Sequence, residues 1–298
     1  MRTDLAKEAS GILPDCEGVT EEVAYEDGIE TSRILIKSDE AERLLDKPKG
    51  RYVTITFTPH ALSDREARRR IAKRAAGELT AMHGLTGDSS VLVIGLGNRN
   101  VTPDALGPRV SEHIFVTRHI QMYCREILTC KVRTVTAFST GVLGVTGMET
   151  VEVVSGVVST IKPDLVLIVD ALASMEADHI GNVIQMNDSG ISPGAGIGNF
   201  RKSLNQNSLG VPVVTLGIPL VVSSGTIVID ALHKLYPRRE YSGIVKLVEE
   251  KLPEGFANMI VSPKDVDAMV NDGAKLISNA INLTLHGEQY SELEKLLR

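Results

Sequence analysis

Leu165-Val166-Leu167-Ile168-Val169 contains no polar side chain, and this run restricts the possible folds more than any other feature of the chain. A strand covered on one face alternates apolar and polar residues. One that is apolar throughout has to be covered on both faces, as in the middle of a parallel sheet. Val91-Leu92-Val93-Ile94-Gly95 and the stretch from Val211 to Leu216 have the same character. Helical patterns alternate with them. One is expected from about Ala105 to Leu128, with Val116, Ile120, Tyr123 and Ile127 on one face, and another from Thr150 to Ile161. Val132 to Phe138 reads as a further strand; Gly225 to Leu235, Tyr241 to Leu252 and two C-terminal stretches read as helices. The alternation predicts an α/β fold, a mostly parallel sheet with helices on both faces.

The part before residue 90 has a different pattern. Residues 1–31 are acidic, poor in apolar residues and without clear periodicity, the least core-like segment of the chain. Arg33-Ile34-Leu35-Ile36-Lys37 and Tyr52-Val53-Thr54-Ile55-Thr56-Phe57 are rich in β-branched and aromatic residues and read as strands. A Lys47-Pro48-Lys49-Gly50 turn precedes the second. Ser63-Asp64-Arg65-Glu66 has a capping-box pattern with Ser63 at the N-cap, and Ile71, Ala75, Leu79 and Met82 follow on one helical face. These elements predict a small β-containing N-terminal addition to the α/β core. Arg68-Arg69-Arg70, with Lys73 and Arg74, reads as a solvated helix face, since no aromatic residue interleaves with the basic run.

Composition narrows the functional classes. The chain has 298 residues, 43% of them hydrophobic, and a formal net charge of -6. An acidic protein lacks the basic surface that displaces phosphate counterions, so direct nucleic-acid binding is not expected. Cys16, Cys124 and Cys130 are too few and too unevenly spaced for a disulfide framework or a cysteine zinc site. No apolar signal sequence follows Met1 and no long apolar run occurs, so the expected protein is intracellular, with no membrane span.

In open α/β sheets, ligands sit beyond the carboxyl ends of the strands. Asp170 directly follows Leu165–Val169, and Asp104 lies in the loop after Val91–Ile94, within Gly95-Leu96-Gly97-Asn98-Arg99-Asn100-Val101-Thr102-Pro103-Asp104-Ala105-Leu106-Gly107-Pro108. Gly95 and Gly97 allow a tight turn off the strand. The glycine that would complete a dinucleotide fingerprint is replaced by Asn100. Each aspartate alone has a plain reading, Asp104 as a helix N-cap and Asp170 as a partner for backbone amides. Together they offer a chemistry, since paired carboxylates divide one proton, one serving as base on a water and the other as acid toward a leaving amine. Neither a Gly-x-Ser-x-Gly elbow nor a His-x-x-x-His spacing competes with this reading, and Ser223-Ser224-Gly225 reads as a helix cap.

Several motifs in chain order resemble the spore germination proteases. They are Arg2-Thr3-Asp4-Leu5-Ala6, the Gly95–Pro108 loop, Thr140-Gly141-Val142-Leu143-Gly144-Val145-Thr146-Gly147-Met148-Glu149-Thr150, Val169-Asp170-Ala171-Leu172-Ala173 and Ser192-Pro193-Gly194-Ala195-Gly196-Ile197-Gly198-Asn199. The Gly95–Asn98 turn and the two aspartates also resemble, more distantly, the hydrogenase maturation peptidases, whose phosphorylase-like α/β fold the first resemblance likewise implies. Carried over residue by residue, the resemblance makes Asp104 and Asp170 the catalytic pair and Gly95, Gly97, Asn98 and Gly107 the loop that presents them.

The resemblance further implies a zymogen that cuts itself between Asp4 and Leu5, because the family cuts after an acidic residue that precedes a large apolar residue and alanine. Residues 1–4 are then a propeptide, 5–89 an N-terminal segment and 90–298 the catalytic core. It implies small acid-soluble DNA-coating spore proteins as substrates, a homotetramer, the spore core as location and no cofactor. Two alternatives stand beside it. One is a metal-dependent maturation-type peptidase acting on a folded partner, for which His179 is near Asp170 in sequence but in an unmatched context. The other is a non-enzymatic α/β binding protein.

Overall fold

The computed structural model describes residues 3–12, 17–125, 132–194, 201–236, 241–257, 259–287 and 290. The apolar runs become the centre of a nine-stranded sheet. Its strands are β1 (Val19–Glu26), β2 (Ile29–Ile36), β3 (Gly50–Thr56), β4 (Ser90–Gly95), β5 (Thr134–Ser139), β6 (Leu165–Ser174), β7 (Val183–Asn187), β8 (Val213–Ser223) and β9 (Ile260–Val261). They are ordered β1-β2-β3-β7-β8-β6-β4-β5, with β9 on β8. The half formed by β8, β6, β4 and β5 is parallel. The β1, β2, β3 and β7 half is antiparallel and joins it through β7 and β8. The N-terminal strands therefore extend the same sheet.

The helices are α1 (Ala6–Ile12), α2 (Asp39–Leu45), α3 (Arg65–Met82), α4 (Leu106–Glu112), α5 (Arg118–Tyr123), α6 (Leu143–Thr146), α7 (Thr150–Ile161), α8 (Gln206–Leu209), α9 (Ser224–Leu235), α10 (Tyr241–Lys251), α11 (Glu254–Ala257) and α12 (Val266–His286). Alternate residues of the central strands face opposite layers. Val91, Val93, Leu165, Leu167 and Val169 pack with residues of α3, α4 and α12. Leu92, Ile94, Val166 and Ile168 pack with Val154 and Val158 of α7. Burial on both faces is why the runs Val91–Ile94 and Leu165–Val169 carry no polar side chain. No helix among the described residues is long and apolar enough to cross a membrane.

Several expectations shift. The helix expected from Ala105 to Leu128 is two helices, α4 and α5, and residues 126–131 lie outside the described residues. The chain breaks because Thr117 pairs with β5 instead: its amide donates to the Val135 carbonyl at 3.0 Å and its hydroxyl to the Arg133 carbonyl at 2.5 Å. Ile120 is buried, whereas Tyr123, expected on the same face, is 76% exposed. The cap of α3 is Asp64 rather than Ser63, its carboxylate accepting from the Glu66 and Ala67 amides. Ser223 caps α9, accepting from the Thr226 amide. In the basic run, Arg68 approaches Asp272 and Arg74 pairs with Glu26, so this face is partly neutralised within the fold. Cys124 is a free thiol, and Cys16 and Cys130 lie outside the described residues.

The largest departure is at the start of the chain. The segment that lacked any core-like pattern contains Leu5, Ala6, Glu8 and Ala9, all buried, and the strand β1. Its few apolar side chains enter gaps left by other elements, Ala6 and Ala9 beside Ile34, Leu45 and Tyr52, and Leu5 beside Leu172 and Val183. Such a segment is covered without a periodic face of its own.

Candidate active site

Two strand ends define the cleft. β4 pairs with β6 as far as Gly95 opposite Val169. The run expected to end at Val169 continues as strand to Ser174, so Asp170 lies inside β6, as its first residue past the end of β4. On its other side Asp170 pairs with Gly217 of β8, where an added Cβ would lie 2.5 Å from the Asp170 carbonyl oxygen. Gly217 therefore lets β8 close against the site. Its one sequence signal is a glycine inside an apolar strand, which marks close backbone approach.

The loop after β4 folds back on itself, backbone against backbone. A Cβ on Gly95 would lie 2.0 Å from the Gly107 carbonyl oxygen; one on Gly97, whose φ is +111°, would lie 2.0 Å from the Asp104 carbonyl oxygen. Gly107 in turn sits against the Leu96 and Val169 carbonyl oxygens, and the Leu96 amide donates to Val169 at 2.8 Å. Asp104 ends a short 3-10 turn, Thr102–Asp104, and does not cap α4, whose N-cap is Ala105. Its carboxylate instead accepts from the Asn98 amide at 2.7 Å. The side chain of Asn98 accepts from the Asn100 amide.

These contacts bring Asp104 within electrostatic reach of Asp170. Burial pushes the Asp170 carboxyl well above the usual carboxylate range, and the charges of Asp104 and Asp4 raise it further, against the hydrogen bond from the Ala171 amide. Burial also raises the Asp104 carboxyl, with the Asn98 amide opposing. One carboxyl strongly favouring its proton beside one that ionises more readily is the asymmetry that acid–base chemistry requires.

The third carboxyl, that of Asp4, arrives from the N-terminal segment. The Asp4 amide donates to the Ala173 carbonyl at 3.0 Å, and the Ala173 amide donates to the Asp4 carboxylate at 2.8 Å. Leu5 fills an apolar pocket with Leu172, Val183 and Ile191. The Ala6 amide donates to the Gln185 side-chain oxygen at 3.1 Å, and Lys47 Nζ to the Thr3 carbonyl at 2.6 Å. A cavity of about 430 Å³ opens beside Asp4, lined among others by Lys47, Tyr52, Gln185 and Gly217, with neither Asp104 nor Asp170 in its wall. Lys47 read in the sequence only as the start of a turn, and Gln185 carried no motif; only the fold brings them to the Thr3–Ala6 stretch. His179, the one histidine near Asp170 in sequence, bonds Glu8 through Nδ1 at 2.6 Å. Among the described residues no group of three histidine, cysteine or acidic side chains is disposed to hold a metal ion.

The chain is similar to known proteins over most of its length. The sequence profile of the germination proteases matches residues 2–240. The chain belongs to the germination protease family. It is 40% identical to the germination protease of Caldanaerobacter subterraneus subsp. tengcongensis over 317 aligned positions, covering 100% of this chain and 98% of the relative. The Clostridium perfringens germination protease is 36% identical (96% and 95% covered), and that of Bacillus licheniformis 34% (96% and 93%). The NiFe hydrogenase maturation protease HycI from Thermococcus kodakarensis aligns with 66% of this chain and 94% of its own at 17% identity, with a TM-score of 0.35, too slight a superposition to carry an argument. Membership makes the protein a peptidase of spore germination.

Proposed function

We propose that this germination protease is an aspartate-dependent endopeptidase, made as a zymogen, that cuts its own chain between Asp4 and Leu5. In trans it degrades the small acid-soluble DNA-coating proteins of the spore core. The observation that carries the reading is the docked Thr3–Glu8 segment. It has the order acidic, large apolar, alanine, and its Asp4 is tied to Ala173, the third residue after Asp170. A segment of that order beside two unequal carboxyls is what a cis substrate would look like.

In this reading ionised Asp104 takes a proton from water as the water oxygen bonds the carbonyl carbon of Asp4. Asp170, which holds its proton, gives it to the Leu5 nitrogen as the C–N bond breaks. The products are a carboxylate at Asp4 and a new amino terminus at Leu5. Activity should fall at low pH as Asp104 protonates and at high pH as Asp170 loses its proton. The substrate proteins, the homotetramer and the spore-core location follow from the family resemblance, and the acidic chain suits a basic or neutral substrate rather than nucleic acid.

The test is intact mass after incubating wild type beside Asp104→Asn. Loss of Met1–Asp4 in wild type alone is expected. Equal cleavage in both proteins would mean a contaminating protease and would end the autocatalytic reading, while a cut after Glu22 would move the boundary to the other acidic–apolar–alanine site, Glu22-Val23-Ala24.

A further inference from the structure

Lys47 lies in the turn between α2 and β3. Asp46 ends α2 in the left-handed conformation, with φ of 51°. The Lys47 amide still donates to the Glu42 carbonyl at 3.2 Å, and Pro48 prevents the helix from continuing. The side chain is half-buried and reaches the docked segment, where Nζ donates to the Thr3 carbonyl at 2.6 Å. Burial pulls the ammonium below the usual lysine range, and the charges of Asp4, Asp46 and Glu8 oppose that shift. Among the described residues the Thr3 carbonyl is its one hydrogen-bond acceptor.

The peptide unit that joins Thr3 to Asp4 is therefore held at both polar atoms. Its N–H donates to the Ala173 carbonyl at 3.0 Å, and its C=O accepts from Lys47. Neither contact reads a side chain. A cut between Asp4 and Leu5 takes this peptide unit away and leaves Lys47 on the wall of the cavity of about 430 Å³, with Tyr52, Gln185, Asn187 and Thr215. Partial burial disfavours an ammonium that has lost its acceptor, so the wall is then complementary to a polypeptide that brings a carbonyl to the same point. Thr3 and Asp4 themselves border the cavity, which therefore lies where a longer chain would continue before them.

We propose that Lys47 anchors polypeptides cut in trans: its ammonium binds the backbone carbonyl that precedes the acidic residue, whatever side chain stands there, and the cavity receives the chain before that carbonyl. The inference rests on the reading of Asp4–Leu5 as the cut bond. It has a consequence for the kind of peptidase this is. A chain that begins at its acidic residue offers Lys47 no carbonyl and sets an α-ammonium against it, so the anchor favours cuts inside a chain over cuts at its first residue.

The experiment uses the self-processed full chain and two peptides followed by chromatography, acetyl-Asp-Leu-Ala-Lys-Glu-Ala-Ser-Gly and its succinyl-Leu-Ala-Lys-Glu-Ala-Ser-Gly counterpart. Succinyl keeps the carboxyl and the carbonyl to be cut but lacks the preceding amide. Wild type should prefer the acetyl peptide in kcat/KM. Lys47→Met should slow cleavage of the acetyl peptide by about tenfold, as expected for loss of a charge-assisted hydrogen bond, and leave the succinyl peptide unchanged. Equal slowing of both peptides, or no slowing of either, would overturn the anchor and leave Lys47 a structural residue. Should Lys47→Met not fold, wild type is compared on the acetyl peptide and the same peptide with a free amino terminus. The free peptide should be cut more slowly, and equal rates would overturn the proposal. Failure of wild type to cut even a peptide spanning residues 1–11 would remove the underlying cut-site reading, a result distinct from cleavage that ignores the preceding carbonyl.

Discussion

The Gly95–Pro108 loop and the Thr3–Glu8 segment both come to Asp170, but they are held there in opposite ways. The loop is fixed by backbone against backbone, at Gly95 on Gly107 and Gly97 on Asp104, with no space for even a methyl group. The segment has one backbone bond, from the Asp4 amide to Ala173, and is otherwise fixed through side chains: Leu5 in its pocket, Glu8 among the Met175 and Glu176 amides and His179, Lys47 on the Thr3 carbonyl and Gln185 on the Ala6 amide. Backbone contacts of the first kind have no alternative arrangement. Side-chain contacts of the second kind can be exchanged for those of another chain. On the proposed mechanism, the difference suits one wall that positions a catalytic carboxyl permanently and another that receives and releases polypeptide.

The comparison is tested most severely at the carboxyls. Asp104→Asn or Asp170→Asn should lower cleavage of an acidic–apolar–alanine peptide by about a hundred- to ten-thousand-fold, the usual contribution of a general acid or base. The circular dichroism spectrum should be unchanged, since asparagine keeps the size of each side chain and can still accept from the Asn98 and Ala171 amides. Near-normal activity in either variant would remove the carboxyl pair as the catalytic centre.

Next comes the releasable wall. In an Asp104→Asn background, which on the proposed mechanism keeps the chain uncut, Leu5→Ala should loosen the docked segment by about 2–5 kcal/mol, the usual cost of emptying a leucine pocket. Amide exchange over residues 5–10 should rise strongly while β4, β6 and β8 stay protected. A uniform loss of protection across the sheet would mean that the segment is part of the permanent core.

For the fixed wall, Gly97→Ala should strain the backbone by about 1–3 kcal/mol, because φ of +111° suits only glycine and the added carbon meets the Asp104 carbonyl. Activity should fall at least about tenfold as Asp104 shifts, with little change in segment docking. Full activity would show that the loop has room to rearrange.

The two walls also differ in how legible they were. Gly95, Gly97, Asn98, Asp104 and Gly107 occupy one stretch of sequence, and tight turns leave a glycine signature that survives without any knowledge of the fold. The central strands were equally plain, because burial on both faces removes every polar residue from Leu165–Val169. The segment left no such trace. Its burial depends on β6, β7 and α2 converging on it, and Leu5 and Glu8 are held by residues as far away in sequence as Val183 and His179. The break between α4 and α5 leaves no sequence signal for the same reason: Thr117 answers to β5 and not to its helical neighbours.

The smallest expected effect separates the walls by pH. His179 sits among Glu8, Glu176 and Lys7. Burial alone would lower its pKa, but the hydrogen bond and charge of Glu8, with the charge of Glu176, outweigh burial and Lys7, so the docked imidazole holds its proton above its ordinary range. When the segment leaves, Glu8 leaves with it, and the pKa returns toward about 6.5. A group whose pKa is raised in the docked state stabilises that state fully below the undocked value and stops doing so as pH rises through the docked value. Docking should therefore weaken with rising pH across that window, by about 1.4 kcal/mol for each unit of difference. The Gly95–Pro108 loop, which His179 does not touch, should not respond. In uncut Asp104→Asn, amide exchange of residues 5–10, corrected for the intrinsic rate, should accelerate across the window while that of Leu96 and Asn98 stays constant. In His179→Gln the pH response should vanish. A segment that stays equally protected through the window would show that Glu8 is held by the Met175 and Glu176 amides alone; a loop that loosens in step would mean that the two walls open as one.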